Sequence, residues 1–427
     1  MEFRLHISKI LTQSHVKEKS PTNRTIREKS VTFHIFTVPT ATTKNDIYFI
    51  LYILIKGGIC MNILCNKVEL IEAVGNVQRA VSTKASLPAL EGILLRAQGN
   101  TLYLAGFDME LGISTTIPAQ VNKPGEIVLS ARMFGDIVRK MPGDHIAIQI
   151  DEKYNTIIRG DVTEFAIVGM SAADYPDIPK VEDGTAVTLS QAVLKSMIRQ
   201  TIFAVAAPND PRPIYTGTLF EMRADELRLV SVDGYRLAMR SEQMQNEEQM
   251  SFVVPGKTLQ EILKLLKDEE KPCSLIVGRR HIIFEIDGYA VISRLLDGEF
   301  MAYDKIISPE VSTTVVVNTR SFIDAVDRVS LVINDRLKSP LVCEFRDGSI
   351  AVSCTTPLGS ANDAISASIS GNEEEMGFNS RFLLDALKNS ETDEVQVQLN
   401  GALKPMKILP REGNGFLFLV LPVRLKK

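Results

Sequence analysis

Cysteine, histidine and long apolar runs are scarce in this 427-residue chain. Its five cysteines (Cys60, Cys65, Cys273, Cys343 and Cys354) contain no C-x-x-C pair. That excludes a disulfide framework and argues against structural zinc, so a reducing, cytoplasmic setting is expected. Of the five histidines only His145 and His281 lie beyond residue 60, and neither has metal-ligand spacing to a neighbour. Both read as ordinary structural or surface side chains. The apolar run Ile47–Ile55 is nine residues long and ends at Lys56. A bilayer span needs about 20 residues, and the run lies too far from the N-terminus for a signal peptide.

Catalytic motifs are missing as well. The sequence holds no G-x-S-x-G elbow, no H-E-x-x-H and no G-x-G-x-x-G. Pro255-Gly256-Lys257-Thr258 resembles the end of a phosphate-binding loop, but Ser251 stands where that loop needs its first glycine, and a helix start explains the segment better. The run Glu373-Glu374-Glu375 reads as a solvated patch rather than a metal site. No metal, cofactor or enzymatic activity is expected.

There is no excess of basic charge either: 48 Lys and Arg face 52 Asp and Glu, a net −4. The balance is uneven along the chain. Residues 1–60 hold nine basic and four acidic side chains, +5, leaving 39 against 48, or −9, for the rest. The leader is expected to be an N-terminal extension outside the fold, non-native or disordered, with Met61 as the functional start; an organellar transit peptide is the alternative.

Beyond residue 60 the chain repeats itself three times. An amphipathic helical stripe runs through Leu70, Ala73, Val74, Val77 and Val81, opened by Asn66 with Glu69 as a capping box. It returns at Leu194, Met197, Ile198, Thr201 and Val205, and at Phe322, Ala325, Val326, Val329 and Ile333. A second unit, a short strand running into a helix, occurs at 127–141, 252–266 and 376–390, with helix starts marked by Ser130, Pro255 and Asn379. Its core positions are Phe134, Leu259 and Leu383, then Val138, Leu263 and Leu387. Alternating strands such as Thr101–Leu104, Leu227–Val232 and Ser349–Cys354 lie between. Each unit of about 122 residues is a whole domain rather than a solenoid turn. The fold class is therefore α+β, three tandem similar domains with two helices each on antiparallel strands, at 61–181, 182–308 and 309–427.

Basic residues recur with the repeat. Arg132, Lys257 and Arg381 occupy the same place near the start of the second helix, and the helices add Arg79, Arg139, Lys195, Arg199 and Arg320, among others. One basic helix surface per domain suits a common polyanion, contacted without base reading.

Particular words carry a resemblance. Ser86-Leu87-Pro88-Ala89-Leu90, Ala172-Ala173-Asp174-Tyr175-Pro176, Val232-Asp233-Gly234-Tyr235-Arg236-Leu237-Ala238 and the tail Leu421-Pro422-Val423-Arg424-Leu425 stand in the order and spacing of the bacterial β sliding clamps. The chain resembles that family, the processivity subunits of DNA polymerase III, over essentially all of 61–427. The resemblance implies a head-to-tail homodimer of three-domain protomers with the DNA clamp fold, closing into a six-domain ring. Such a ring encircles duplex DNA and tethers the replicative polymerase, the clamp loader and other partners carrying clamp-binding motifs. It nominates Lys84, Asn209, Arg212 and Lys257 as DNA contacts beside the basic helix residues. It implies a partner-peptide cleft of Tyr215, Val232, Gly234, Tyr235, Arg236, Leu237, Met301, Ile306, Leu419, Leu421, Pro422, Val423 and Arg424. Phe165 and Ile167 would meet Leu331 and Val332 across the dimer seam. Two other readings remain: a non-catalytic interaction scaffold without DNA, and a metal-dependent nuclease.

Overall fold

Among the described residues six α-helices and the strands between them follow the repeat closely. The computed structural model describes residues 58–246, 248–333, 339–346 and 348–425. The leader up to residue 57 lies outside the described residues. The first strand, Ile59–Asn66, begins two residues before Met61, and Ile59 pairs with Asp151.

The helices come in pairs: α1 (Lys67–Val77) with α2 (Ala131–Lys140), α3 (Gln191–Ile202) with α4 (Gly256–Leu265), and α5 (Thr319–Ser330) with α6 (Ser380–Lys388). In α1, α3 and α5 the first four stripe residues are buried. The fifth, Val81, Val205 and Ile333, lies past the helix end in every copy and is only half-buried. The periodicity continues for one turn after the helix has stopped, because the following turn still packs on the sheet.

Capping differs between the two helix types. Asn66, Ser190 and Asn318 each cap the first helix of a domain with a side-chain oxygen, as at Asn66 Oδ1, 2.9 Å from the Val68 N–H. A bond of this kind contributes about 1 kcal/mol. Among the second helices only Asn379 caps, accepting from the Arg381 N–H at 3.0 Å. Ser130 stands at the N-cap without a side-chain capping bond, and Pro255 occupies the cap position rather than the first turn. These two helices continue directly from ladder strands, Ser130 opposite Gly92 and Pro255 opposite Gly217. Phe134, Leu259 and Leu383 are fully buried; Leu263 is half-buried, and Ile262 takes the deeper place on that turn.

The sheets are antiparallel and two of them cross domain boundaries. Strand Leu111–Lys123 of the first domain pairs with Tyr289–Arg294 of the second, in register from Thr115↔Tyr289 to Leu111↔Ser293. Strand Arg236–Gln243 of the second domain pairs in the same way with Phe416–Val420 of the third, Arg236↔Val420 to Arg240↔Phe416. The result is a 12-stranded and a 9-stranded sheet, plus a four-stranded sheet in the third domain. The sequence reading of three tandem domains says nothing of which strands join across the junctions. The third domain's counterpart of the first crossing strand, Gly359–Ser366, and the first domain's counterpart of the second, Thr163–Val168, each have one ladder partner among the described residues. Both present an open edge.

The main cores lie between helix pairs and sheets, with Phe134, Phe220, Phe284, Phe322, Phe345 and Phe378 fully enclosed. Contact there is close enough to constrain the backbone. A Cβ on Gly106 would sit 2.2 Å from the Val77 carbonyl oxygen at the end of α1, so only glycine lets helix and strand meet.

Candidate partner cleft and basic helix surface

The segment that leaves each domain turns back onto its own sheet through one bridge: Val128↔Met170, Val253↔Leu296 and Gly377↔Val423. After the bridge, the first two segments enter short 3-10 turns, Ala172–Asp174 and Tyr303–Lys305. Their tyrosines, Tyr175 and Tyr303, bury themselves in small satellite clusters outside the main cores. The tail after Val420 is the third member of this series.

A cleft of about 120 Å³ opens where the second of these segments meets the tail. Tyr215, Val232, Gly234, Arg236, Leu237, Met301, Ile306, Leu419 and Leu421 line it, all of them nominated from sequence. Two further residues line it: Pro405, just before strand Met406–Pro410, which carries no motif of its own, and Arg212, which the resemblance nominates as a DNA contact. Arg212 is anchored by Asp210 at 3.1 Å and lies 4.7 Å over the Tyr215 ring, which turns it toward the cleft mouth. Its pairing with Asp210 holds that carboxyl below its usual range.

The remaining nominated cleft residues sit outside the lining. Tyr235 is exposed and stacks on Phe382 at 5.9 Å, while its carbonyl accepts from the Leu421 N–H at 2.9 Å. Val423 donates to Gly377 O at 2.8 Å. Pro422 is half-buried between them, and Arg424 is exposed beyond. These residues fix the path of the tail rather than the floor of the cleft.

The floor is stiffened by charge. Asp233 takes the backbone N–H groups of Tyr235 and Arg236 at 2.9 and 3.0 Å, closing a turn in which Gly234 adopts φ 90°. The Arg236 side chain, only 9% exposed, bonds Asp233 at 3.0 Å and Asp385 of α6 at 2.5 Å. Its guanidinium bonds these carboxylates through Nε and Nη1, and Tyr215 and Arg212 stand with it as the polar members of an otherwise largely apolar lining.

At the corresponding place between the first and second domains, the equivalents of Val232 and Leu237 are Phe107 and Gly112. There the Phe107 ring, Ile178 and Ile292 press on Gly112, with a built Cβ 2.8 to 3.6 Å from them. A phenylalanine opposite glycine fills what valine opposite leucine leaves open.

The nominated basic residues are on the surface. Arg132, Arg381 and Lys84 are exposed and make no side-chain ion pair among the described residues, and Asn209 is exposed on the loop before Arg212. The others are paired: Arg139 with Asp136 at 2.8 Å, Lys195 with Asp268 at 2.7 Å, Arg199 with Glu391 at 3.2 Å, Arg320 with Asp324 at 3.0 Å, and Lys257 with Asp108 of the neighbouring domain. Among the described residues no group of three or more His, Cys, Asp or Glu side chains is placed to hold a metal. No helix there is long and apolar enough to cross a membrane. Burial pushes the Cys65 and Cys343 thiols up to about 12.

At the seam positions, Phe165 and Ile167 lie on the open edge strand Thr163–Val168, Phe165 exposed. Leu331 is exposed just after α5, and Val332 is tied to the other edge region through Thr356 Oγ1, 3.2 Å from its carbonyl oxygen.

A chain of three like α+β domains with sheets fused across their junctions and open edges at both ends is a clamp-type architecture. Family models of the DNA polymerase III beta subunit match in sequence order: the N-terminal domain over residues 61–179, the central domain over 188–301 and the C-terminal domain over 304–424. The chain belongs to that family. The Beta sliding clamp of Bacillus subtilis is 33% identical over 377 residues, spanning 85% of this chain and 100% of the relative. That of Staphylococcus epidermidis is 31% identical over 365 residues, 83% and 97% of the two chains. Among solved structures, the DNA polymerase sliding clamp of B. subtilis superposes with a TM-score of 0.83 at 32% identity, over 86% of this chain and 100% of the other. A putative DNA polymerase III beta subunit from Eubacterium rectale gives 0.82 at 36%, over 85% and 99%.

Proposed function

We propose that the chain is the processivity clamp of a replicative DNA polymerase, a non-catalytic ring that encircles duplex DNA and tethers partner proteins. The observation that carries this reading is the match of all three clamp domains, in order, over nearly the whole of 61–424. The ring follows from strand edges. Two junctions within the protomer pair a Leu111–Lys123-type strand with a Tyr289–Arg294-type strand. The third pair can only form between copies, Gly359–Ser366 of one against Thr163–Val168 of the other. The two edges differ, so the contact is heterologous and makes a ring where rotation closes. Phe165, Ile167, Leu331 and Val332 are the apolar contacts of that seam. The domains are taken as 61–181, 182–308 and 309–427.

The basic helix surfaces, led by Arg132 and Arg381, face DNA phosphates without reading sequence. The cleft receives an apolar segment of the polymerase, the loader or another partner, its lining giving aliphatic pockets with an arginine at the rim. The setting is the cytoplasm. Loaded onto circular DNA, the ring is expected to remain bound and to run off once the circle is cut. Equal loss from circular and linear DNA overturns encirclement and favours the scaffold reading.

A further inference from the structure

The cleft wall formed by Met301 and Ile306 belongs to the segment between two domains, and its position is set by one residue between them. The Tyr303 N–H donates to Met301 O at 2.8 Å, and the Tyr303 carbonyl accepts from the Ile306 N–H at 2.9 Å. Both wall residues are thus hydrogen-bonded to the backbone of Tyr303. Its side chain points the other way and is 3% exposed. The phenol donates to Glu221 Oε2 at 2.5 Å and accepts from Arg228 at 3.0 Å and Arg223 at 3.2 Å. Asp304 takes the same two arginines at 3.4 and 3.3 Å. Lys407, itself buried, holds the far end of the segment by donating to Ser308 O at 2.7 Å.

The first domain offers a comparison within the same molecule. Tyr175 occupies the equivalent site, yet its hydroxyl meets backbone groups, Ala105 O at 3.4 Å and Phe107, and no charged side chain hydrogen-bonds it among the described residues. The charged network occurs behind the segment that walls the cleft. Hydrogen bonds to charged groups in a buried setting are stronger and more directional than neutral ones, so the network fixes the wall more tightly than side-chain packing alone.

We propose that Tyr303 is a positioning residue for the cleft: its anchored phenol sets where Met301 and Ile306 stand, and so tunes partner affinity without touching the partner. The proposal rests on the cleft being the partner site. The test uses the full-length dimer and the immobilised replicative polymerase of the same cell, comparing Tyr303→Phe, Ile306→Ala, Leu421→Ala and the double variant Tyr303→Phe/Ile306→Ala. Tyr303→Phe is expected to weaken binding about tenfold, the scale of one lost hydrogen bond to a charged group, with dimer mass unchanged. In the Ile306→Ala background the same change is expected to cost clearly less, because one of the two groups it positions is gone. A general structural role predicts additive losses instead, and additivity overturns the proposal. Amide exchange should quicken over residues 301–306 in Tyr303→Phe, and also in Glu221→Gln; unchanged exchange in both counts against it. If Ile306→Ala and Leu421→Ala weaken binding while Tyr303→Phe does not, only the positioning role fails. If no variant matters, the cleft reading itself falls.

Discussion

Arg236 of the second domain reaches Asp385 of the third at 2.5 Å while its guanidinium lies 4.6 Å over Phe382 and 5.5 Å over Phe203. One side chain therefore joins a turn, a helix and two aromatic rings across a domain junction. Asp233 supplies the second carboxylate, so the charge is neutralised from both sides.

Arg236→Ala removes a nearly buried cation and leaves two carboxylates facing each other. The loss is expected to be about 3 kcal/mol, at the low end for breaking a buried pair because Asp385 keeps some water contact. Denaturant unfolding should show a lower midpoint. Arg236→Lys should rescue only part of this, since an ammonium cannot bond both carboxylates in the plane of a fork. An unchanged midpoint in Arg236→Ala would show that the junction does not depend on this residue.

The surface cations should differ in their effect on DNA. Among the described residues Arg132 and Arg381 have no carboxylate partner, whereas Lys257 is already paired with Asp108. Binding of a duplex, followed as log affinity against log salt, is expected to lose about 0.9 of slope for each phosphate contact removed. Arg132→Ala and Arg381→Ala should each approach that loss, and Lys257→Ala should fall short of it. Equal slopes for all variants would remove these positions from the phosphate-contacting surface.

Val232→Phe should close the cleft. The first domain shows the outcome, with Phe107 in the equivalent place packed onto Gly112 beside Ile178 and Ile292. In the second domain the new ring would enter open space lined by Met301, Leu419 and Leu421. Polymerase binding is expected to be lost while dimer mass and melting temperature hold. Retained binding would place the partner elsewhere.

Met109 marks a strained copy of a repeated turn. It has φ 79°, and Asp108 accepts from the N–H groups of Glu110 and Leu111 at 3.0 and 2.7 Å. The equivalent turn at Asp233 carries Gly234 at φ 90°. Met109→Gly is expected to stabilise the protein by up to about 1 kcal/mol, relief of backbone strain being offset in part by added freedom of the unfolded chain. A thermal unfolding scan reads the sign.

Much of this was legible in the sequence because it is local. Helical stripes at Leu70, Leu194 and Phe322 and the caps at Asn66 and Asn379 depend on residues within a turn or two, and they fell where periodicity put them. The stripe ends did not, because packing on the sheet extends the pattern past the helix, and Ser130 and Pro255 mark their helix starts without making a side-chain capping bond. The fused sheets were not readable: Leu111 and Ser293 are 182 residues apart and nothing in either strand names its partner. Nine of the residues that line the cleft are ones the resemblance nominates, by its words or by position, and Arg212 lines it as well. Its orientation is set by the ion pair with Asp210 and by the Tyr215 ring, and sequence spacing carries no sign of which way a surface arginine leans.

The two open edges have a consequence for how the protomer behaves alone. Thr163–Val168 and Gly359–Ser366 are complementary in kind but lie at opposite ends of one chain, so every protomer is both donor and acceptor of a strand pair. Whether copies close in twos or run on into a filament depends on the bend at Leu111–Ser293 and Arg236–Val420, repeated at the seam. For two copies to close, the two internal junctions and the seam must together contribute half a turn. A small change of angle at either internal junction, with no residue altered at the seam, is enough to turn a finite ring into an open-ended polymer.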